Sequence, residues 1–378
     1  MDIRRKADLA IRMLAFIAEQ KRCGSKLMKD NNVLFISDVR DEMGGNFECV
    51  NKALIESGRK WNIDVFLKDK QLHKETLRDA RLIARKLRSA KYIFLEDVFN
   101  YLQFYKLLPG QEIIQLWHAE GAYKKFGFSR KGEDIKISPG HRKYTKAIVS
   151  AASIRGCYAE AYGISEDKVI PTGIPRTDVF CDESWTEEVR KRFVAAHPEI
   201  GDRKIIFLAP TYRGTKVPMA DYDMSKVPVD RLREKYGDEY VLITKMHPAA
   251  YNNMKMQGRK LGDDSGFWID VSDVRDVNDI LPAADILITD YSSIIFDWLL
   301  LDRPVIYYVY DRDEYAGDRG MYYPFEDYVY GTVAETADEL IEAIAAADMM
   351  EDKRGAFRER FMSACDGHAT ERVLELLD

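Results

Sequence analysis

Short apolar runs rich in β-branched residues alternate with longer helical stretches, and midway along the chain the alternation starts over. The first series runs "NVLFIS" (32–37), the helical "NFECVNKALIESG" stopped by Gly58, "NIDVFL" (62–67), the basic helix around "LRDARLIARKLRSA", "YIFLE", "FNYLQFYKLL", "EIIQLW" and "AIVS". After "WTEEVRKRFVAAHPEIGDR" the second series brings "KIIFLAP", "YVLITKMHP", "GFWIDV", "DILITD" and "PVIYYVY". Short apolar strands joined by helical crossovers describe parallel sheets covered on both faces. The expectation is an N-terminal amphipathic basic helix over 1–30, an α/β domain over 31–180, a second over 181–350 and a helical tail over 351–378. A chain of 378 residues is comfortable for two cores of that kind. Two such domains facing each other make a cleft at the C-terminal ends of their strands, where small anions commonly meet helix N-termini.

The net charge of −6 argues against a general nucleic-acid binder. Five cysteines (Cys23, Cys49, Cys157, Cys181, Cys365) are scattered without a CxxC pair, which suits a reducing cytosol and gives no zinc signal. No apolar run is long enough to span a bilayer. At the N-terminus, "MDIRRKADLAIRMLAFIAEQKRCGSKLMKD" wraps Lys and Arg around the apolar run Met13–Ala18, without the long apolar core and cleavage site of a signal peptide. It reads either as a helix packed on its own domain or as one lying on an anionic membrane face.

The residues that carry chemistry stand at strand ends. His118 directly follows "EIIQLW", and beyond the turn at Gly121 come Lys124 and Lys125. An imidazole there can take a proton from a hydroxyl, and the lysines can meet phosphate; a structural histidine beside Trp117 is the competing reading. In "TKMHPAA", His247 lies just past "YVLITKM" with Lys245 two residues away, so strand alternation would put both on one face. They are either a satisfied edge pair or a phosphate contact. In "ADILITDYSSIIFDWLLLDRPVIYYV" a strand ends at Asp290, and Ser292 and Ser293 stand where a helix cap belongs. Free N–H groups and short hydroxyls there form an anion site, unless they merely cap a buried helix. Arg319 beside Gly320, Arg176 in "GIPRTDVF" and Arg213 in "LAPTYRG" are further candidates for gripping phosphate. No Walker A loop, GxGxxG, HExxH, DFG set or GxSxG elbow is present, so ATP hydrolysis, dinucleotide redox chemistry, zincin proteolysis and an elbow-type hydrolase are unsupported.

"QLWHAEGAYKKFG", "TGIPRTDVF", "FLAPTYRG", "TKMHP", "ITDYSSIIFDWLLLDRPVIYYVYDRDEY" and "RGMYYPFED" follow one another in an order that resembles the CDP-glycerol glycerophosphotransferase family. These are the wall teichoic acid primases and polymerases and related enzymes of capsule and polyol-phosphate polymer synthesis. The resemblance covers roughly residues 32 to 372, with the Asp-Tyr-Ser-Ser segment and its downstream Arg-Pro the most specific part. It implies a GT-B-like fold of two Rossmann-like domains, the second holding the donor. It also implies transfer of glycerol phosphate, or a sister alditol phosphate, from a CDP-glycerol or CDP-alditol donor to a hydroxyl of a lipid-linked saccharide or growing polymer. CMP would be released at the cytoplasmic face of the membrane, with peripheral contact to anionic lipid, no metal and no cofactor. By matching motif, His118 takes the place of a base or acceptor-orienting histidine, and His247, a second catalytic residue, falls around the donor phosphates with Ser292, Ser293 and Arg319. From their own positions, Lys124 and Lys125 are expected on the acceptor side, and Lys245, Asp290, Arg213 and Arg176 as further donor contacts. Where polymerases often show Trp-His-Gly-Thr-Pro-Leu-Lys, this chain has Trp-His-Ala-Glu-Gly-Ala-Tyr-Lys. A GT-B glycosyltransferase using a nucleotide sugar, and a non-catalytic partner of the polymer machinery, are the alternatives.

Overall fold

A computed structural model describes residues 3–70, 72–130, 137–214, 219–315, 320–346 and 350–377. It divides into two units, one formed by 1–178 with 363–378 and the other by 179–362.

The first unit is built on six parallel strands: β1 (Lys29–Ser37), β2 (Asn62–Leu67), β3 (Ala90–Leu95), β4 (Glu112–Gln115), β5 (Lys146–Ile148) and β6 (Val169–Ile170), in the order β2-β1-β3-β4-β5-β6. Val33, Leu34, Phe35 and Ile36 of β1 are all buried, as a strand covered on both faces requires. Helices α1 (Ile3–Cys23), α2 (Gly45–Glu56), α3 (Leu77–Ser89) and α4 (Arg155–Tyr162) cover the sheet. Thr76 starts α3 with a reciprocal cap: its hydroxyl accepts the Asp79 N–H at 3.2 Å while Asp79 accepts the Thr76 N–H at 2.7 Å.

Helix α1 is part of this unit and ends at Cys23, so the segment expected over 1–30 is not a separate body. Met13, Phe16, Gln20 and Cys23 are buried, Phe16 against Tyr101 with ring centroids 5.0 Å apart. Arg12 pairs with Glu75 at 2.6 Å, and Arg85 of α3 reaches Glu19 at 2.5 Å. The opposite face of α1 leaves Ile11 and Leu14 53% and 66% exposed.

The second unit repeats the plan with β7 (Lys204–Leu208), β8 (Tyr240–Thr244), β9 (Trp268–Asp270), β10 (Ile286–Thr289), β11 (Val305–Tyr308) and β12 (Thr332–Ala334), all parallel, in the order β12-β11-β10-β7-β8-β9. Its helices are α5 (Glu183–Ala196), α6 (Val229–Tyr236), α7 (Pro248–Met256), α8 (Ile294–Leu299), α9 (Arg312–Tyr315), α10 (Ala337–Ala346) and α11 (Glu351–Phe361). One core gathers Ile206, Leu242, Ile288 and Ile306 with Leu232, Met254 and Leu340. Another packs Phe296 of α8 on Phe357 of α11, centroids 5.5 Å apart.

The chain then leaves this unit. Residues 363–377, with α12 (Ala369–Leu374), lie with the first unit, so the expected tail over 351–378 is divided between the two. Asp178 caps the returning helix by accepting the N–H groups of Ala369 and Thr370 at 2.9 and 2.7 Å. Gly173 stands at the crossing with φ +81°, and a Cβ there would lie 2.1 Å from the Ala364 carbonyl oxygen. Only glycine permits that approach.

Candidate functional site

In the first unit the expected residues gather where β3 and β4 end. Trp117 takes a left-handed backbone conformation, φ +58°, which turns the chain back after the strand. The turn lays the His118 ring on the Trp117 indole, centroids 4.2 Å apart, and Phe126 stacks on the indole at 4.7 Å. His118 Nδ1 lies 3.1 Å from the Glu96 carbonyl oxygen and 3.6 Å from Asp97 Oδ2. A carbonyl can only accept, so Nδ1 carries the proton in the neutral ring and Nε2 is left as the basic nitrogen. His118 is exposed, so Nε2 can meet a solute. Lys124 and Lys125 are half-buried in the segment that follows.

Glu96 and Asp97 were not singled out from the sequence, although the acids of "YIFLED" stand at a strand end as His118 does. The Glu96 carboxylate is buried, accepts the Phe47 N–H at 3.2 Å and lies 3.2 Å from Arg40. Burial pushes its pKa up to about 7, against the pull of Arg40.

Arg176, expected at the donor, is engaged by a carboxylate. Its Nε and Nη2 hold the two carboxylate oxygens of Glu120 at 2.7 and 2.5 Å, and Glu120 is 2% exposed. The reason is charge: Glu120, within the segment that departs from the common family form, is a buried carboxylate that needs a cation. The Tyr158 hydroxyl fixes the same segment, its one proton shared between the carbonyls of Ala119 and Gly121 at 2.9 and 2.8 Å.

In the second unit Arg213 and Asp290, both expected at the donor, are committed to each other. Asp290 accepts from Thr211 N–H (2.8 Å), Tyr291 N–H (2.6 Å) and Arg213 Nη1 (2.9 Å). Arg213 also binds Asp311 through Nε and Nη2 at 2.5 and 2.9 Å and the Thr211 carbonyl through Nη1 at 2.5 Å. Its guanidinium stands 4.8 Å from the Tyr315 ring centroid and 5.5 Å from that of Tyr291. Burial works against this charge, but Asp311 and Asp290 outweigh it and raise the pKa above the ordinary guanidinium value. Arg213 therefore ties together the segments that follow β7, β10 and β11.

Lys245 and His247 lie beyond β8, which ends at Thr244, so strand alternation does not put them on one face. Lys245 donates to the Val274 carbonyl, and burial lowers its pKa while Asp273, Asp276 and Asp270 oppose the shift. His247 is exposed and begins α7, its Nδ1 accepting the Ala249 N–H at 3.1 Å, with Tyr212 at a centroid distance of 4.7 Å. Because Nδ1 accepts, Nε2 holds the proton of the neutral ring. Ser292 and Ser293 are both half-buried. Ser293 occupies the cap position of α8 without a side-chain cap bond, and Ser292 Oγ accepts the Ile294 N–H at 3.3 Å. Arg319 lies outside the described residues. A cavity of about 410 Å³ lined by Arg312, Phe325, Lys353, Phe357 and Arg360, among others, includes none of Lys245, His247, Asp290, Ser292 or Ser293.

Two Rossmann-like units, with a histidine at a strand end in each, make this a GT-B-like α/β protein. The wall teichoic acid polymerase TagF has the same fold, with a TM-score of 0.78 at 20% identity over 99% of this chain and 94% of that one. A variant of it was also studied after a soak with CDPG. Residues 19–378 match the family model described as CDP-Glycerol:Poly(glycerophosphate) glycerophosphotransferase, and the chain belongs to that family. It is 36% identical over 351 residues to a teichoic acid poly(ribitol-phosphate) polymerase of Bacillus spizizenii, covering 92% of this chain and 56% of that one. It is 36% identical over 360 residues to the ribitol-phosphate polymerase TarK of Staphylococcus aureus, covering 92% of this chain and 68% of the relative. The chain thus spans little more than half of the first of these relatives.

Proposed function

We propose that this chain transfers an alditol phosphate from a CDP-alditol to a hydroxyl of a growing teichoic-acid-like polymer or its lipid-linked primer. The observation that carries the reading is the His118 ring: its Nδ1–H is held on the Glu96 carbonyl, leaving Nε2 as a base at an exposed strand end. In this reading Nε2 takes the acceptor hydroxyl proton as that oxygen attacks the β-phosphorus. The bond from that phosphorus to the bridging oxygen breaks, and CMP leaves with its oxygen's electron pair. Asp97, 3.6 Å from Nδ1, stabilises the imidazolium that forms. In the second unit the Nε2–H of His247 and the hydroxyls of Ser292 and Ser293 serve the donor phosphates. Lys245 is held on the Val274 carbonyl, while Arg213 and Asp290 hold the loops and Arg176 serves the His118 turn.

Two relatives are named for ribitol phosphate, so CDP-ribitol is expected to release CMP faster than CDP-glycerol, and UDP-sugars to release no nucleotide. Mass spectrometry of products from the three donors tests this. Turnover of a UDP-sugar alone would replace the reading with the glycosyltransferase one, and turnover of none would favour the non-catalytic one.

A lipid-linked acceptor calls for a place at the cytoplasmic face of the membrane. No helix among the described residues is long and apolar enough to cross one. The exposed Ile11 and Leu14 of α1, and the exposed Arg78 and Arg81 of α3 in the same unit, support peripheral contact with anionic lipid. Sedimentation with anionic liposomes should fall for Ile11→Glu/Leu14→Glu. Unchanged partitioning would remove α1 from the membrane reading. Point changes are the right tool because deleting α1 would expose the pocket that Phe16 fills.

A further inference from the structure

The orientation of His118 depends on Trp117, a bulky residue held in a conformation that favours glycine. Something must impose it. The Trp117 N–H donates to Gln115 Oε1 at 2.9 Å, which shapes the approach from β4. The Trp117 carbonyl accepts from Asn46 Nδ2 at 3.0 Å, and Asn46 comes from the first turn of α2, 71 residues away in sequence. Asn46 is 1% exposed, and its other amide atom, Oδ1, accepts the Arg176 N–H at 3.0 Å. A backbone carbonyl only accepts and a backbone N–H only donates, so the carboxamide fits in one orientation alone. Arg176 closes the circuit by its two-pronged grip on Glu120, two residues beyond His118. The His118 turn is thus enclosed by a ring of bonds that runs from Trp117 to Asn46, to Arg176, to Glu120 and back along the chain.

We propose that Asn46 is a positioning residue for His118: by pinning the Trp117 carbonyl and the Arg176 amide together it keeps the turn left-handed, the imidazole on the indole and Nδ1 on the Glu96 carbonyl. The inference rests on the reading of His118 as the base, and it deepens that reading by naming what aims it. Asn46 reaches the chemistry only through Trp117. The acceptor therefore meets a nitrogen whose protonation is set from α2, and a small misplacement of it is costly, since displacement by about 1 Å can reduce turnover roughly 10²-fold.

The test uses the full chain with ¹⁵N-labelled imidazoles, the His118 signals being assigned with His118→Gln. Asn46→Asp keeps the shape and the acceptor for Arg176 but cannot donate to the Trp117 carbonyl when ionised. Asn46→Ser is the second variant; it suits the start of a helix and is too short to bridge both partners. At alkaline pH the native ring should show Nδ1 protonated and Nε2 bare. In either variant the two tautomers should mix, with kcat lowered roughly 10²-fold and KM for the CDP-alditol unchanged. A native ring signature in a folded variant overturns the proposal, whether turnover survives or not. So does a rise in KM at unchanged kcat, which would make Asn46 a donor residue. If His118→Ala keeps its turnover, the base assignment fails, while the ring signals still decide whether Asn46 sets the imidazole.

Discussion

His118 and His247 occupy corresponding places, each just past a strand end of its own unit, yet their ring nitrogens are committed in opposite senses. His118 gives its Nδ1 proton to a carbonyl and keeps Nε2 as an acceptor. His247 spends Nδ1 as the acceptor of a helix cap and keeps Nε2 as a donor. The two units share one α/β plan, but one ring leaves its Nε2 as an acceptor and the other keeps its Nε2 as a hydrogen-bond donor. The difference lies in what each ring's inner nitrogen meets, a strand-end carbonyl or the first N–H groups of a helix. The cations differ likewise: Arg176 props up the histidine turn of the first unit, while Arg213 ties three loops of the second.

The sharpest way to break this contrast is to remove each histidine in turn. His118→Ala should lower kcat by about 10²–10⁴-fold, as loss of a positioned base does, with CDP-alditol affinity little changed by calorimetry. Intact turnover would end the distinction between the two sites. Next, Arg213→Met should destabilise the fold by about 3–5 kcal/mol in urea denaturation, because it leaves Asp290 and Asp311 without their cation. A stable variant that merely lost donor affinity would return Arg213 to the phosphate. Smaller still, His247→Asn keeps a competent cap and deletes the Nε2–H, so donor affinity should fall by the equivalent of about 1.5–3 kcal/mol, with kcat retained at saturation. A selective loss of kcat would make the two histidines alike.

The smallest effect is in pH. Glu96 has a folded pKa near 7 against an ordinary 4.5, so the folded state holds that proton more tightly than the unfolded one. Stability from this group is greatest below the ordinary value and declines as pH rises toward 7. Glu96→Gln lacks that decline, so its stability relative to the native chain should improve from pH 5 to pH 8 by about 1–2 kcal/mol. A gap that does not change with pH would mean that Arg40 keeps the carboxylate charged.

Much of this architecture was legible in the sequence because buried parallel strands are compact apolar runs: "NIDVFL" is β2 residue for residue, and "KIIFLAP" overruns β7 only by Ala209 and Pro210. The strands β6 and β12 were missed, being two and three residues long. The histidines were legible as strand-end residues. Their roles were not, because a ring's tautomer depends on partners such as the Glu96 carbonyl. Arg176 and Arg213 looked like phosphate grips since their acids are remote, Glu120 56 residues away and Asp311 98. The pairing of Lys245 with His247 failed for a local reason, since alternation holds only while a strand lasts.

The return of residues 363–377 to the first unit, against Gly173, has a consequence for how the molecule comes into being. As the chain leaves the ribosome, the second unit is complete in one continuous length, whereas the first must wait through its synthesis for a missing piece. Domains usually mature in order of emergence. Here the later-made unit can finish first, and α2, which supplies Asn46 to the His118 turn, meets its neighbour α12 only when translation has passed that helix.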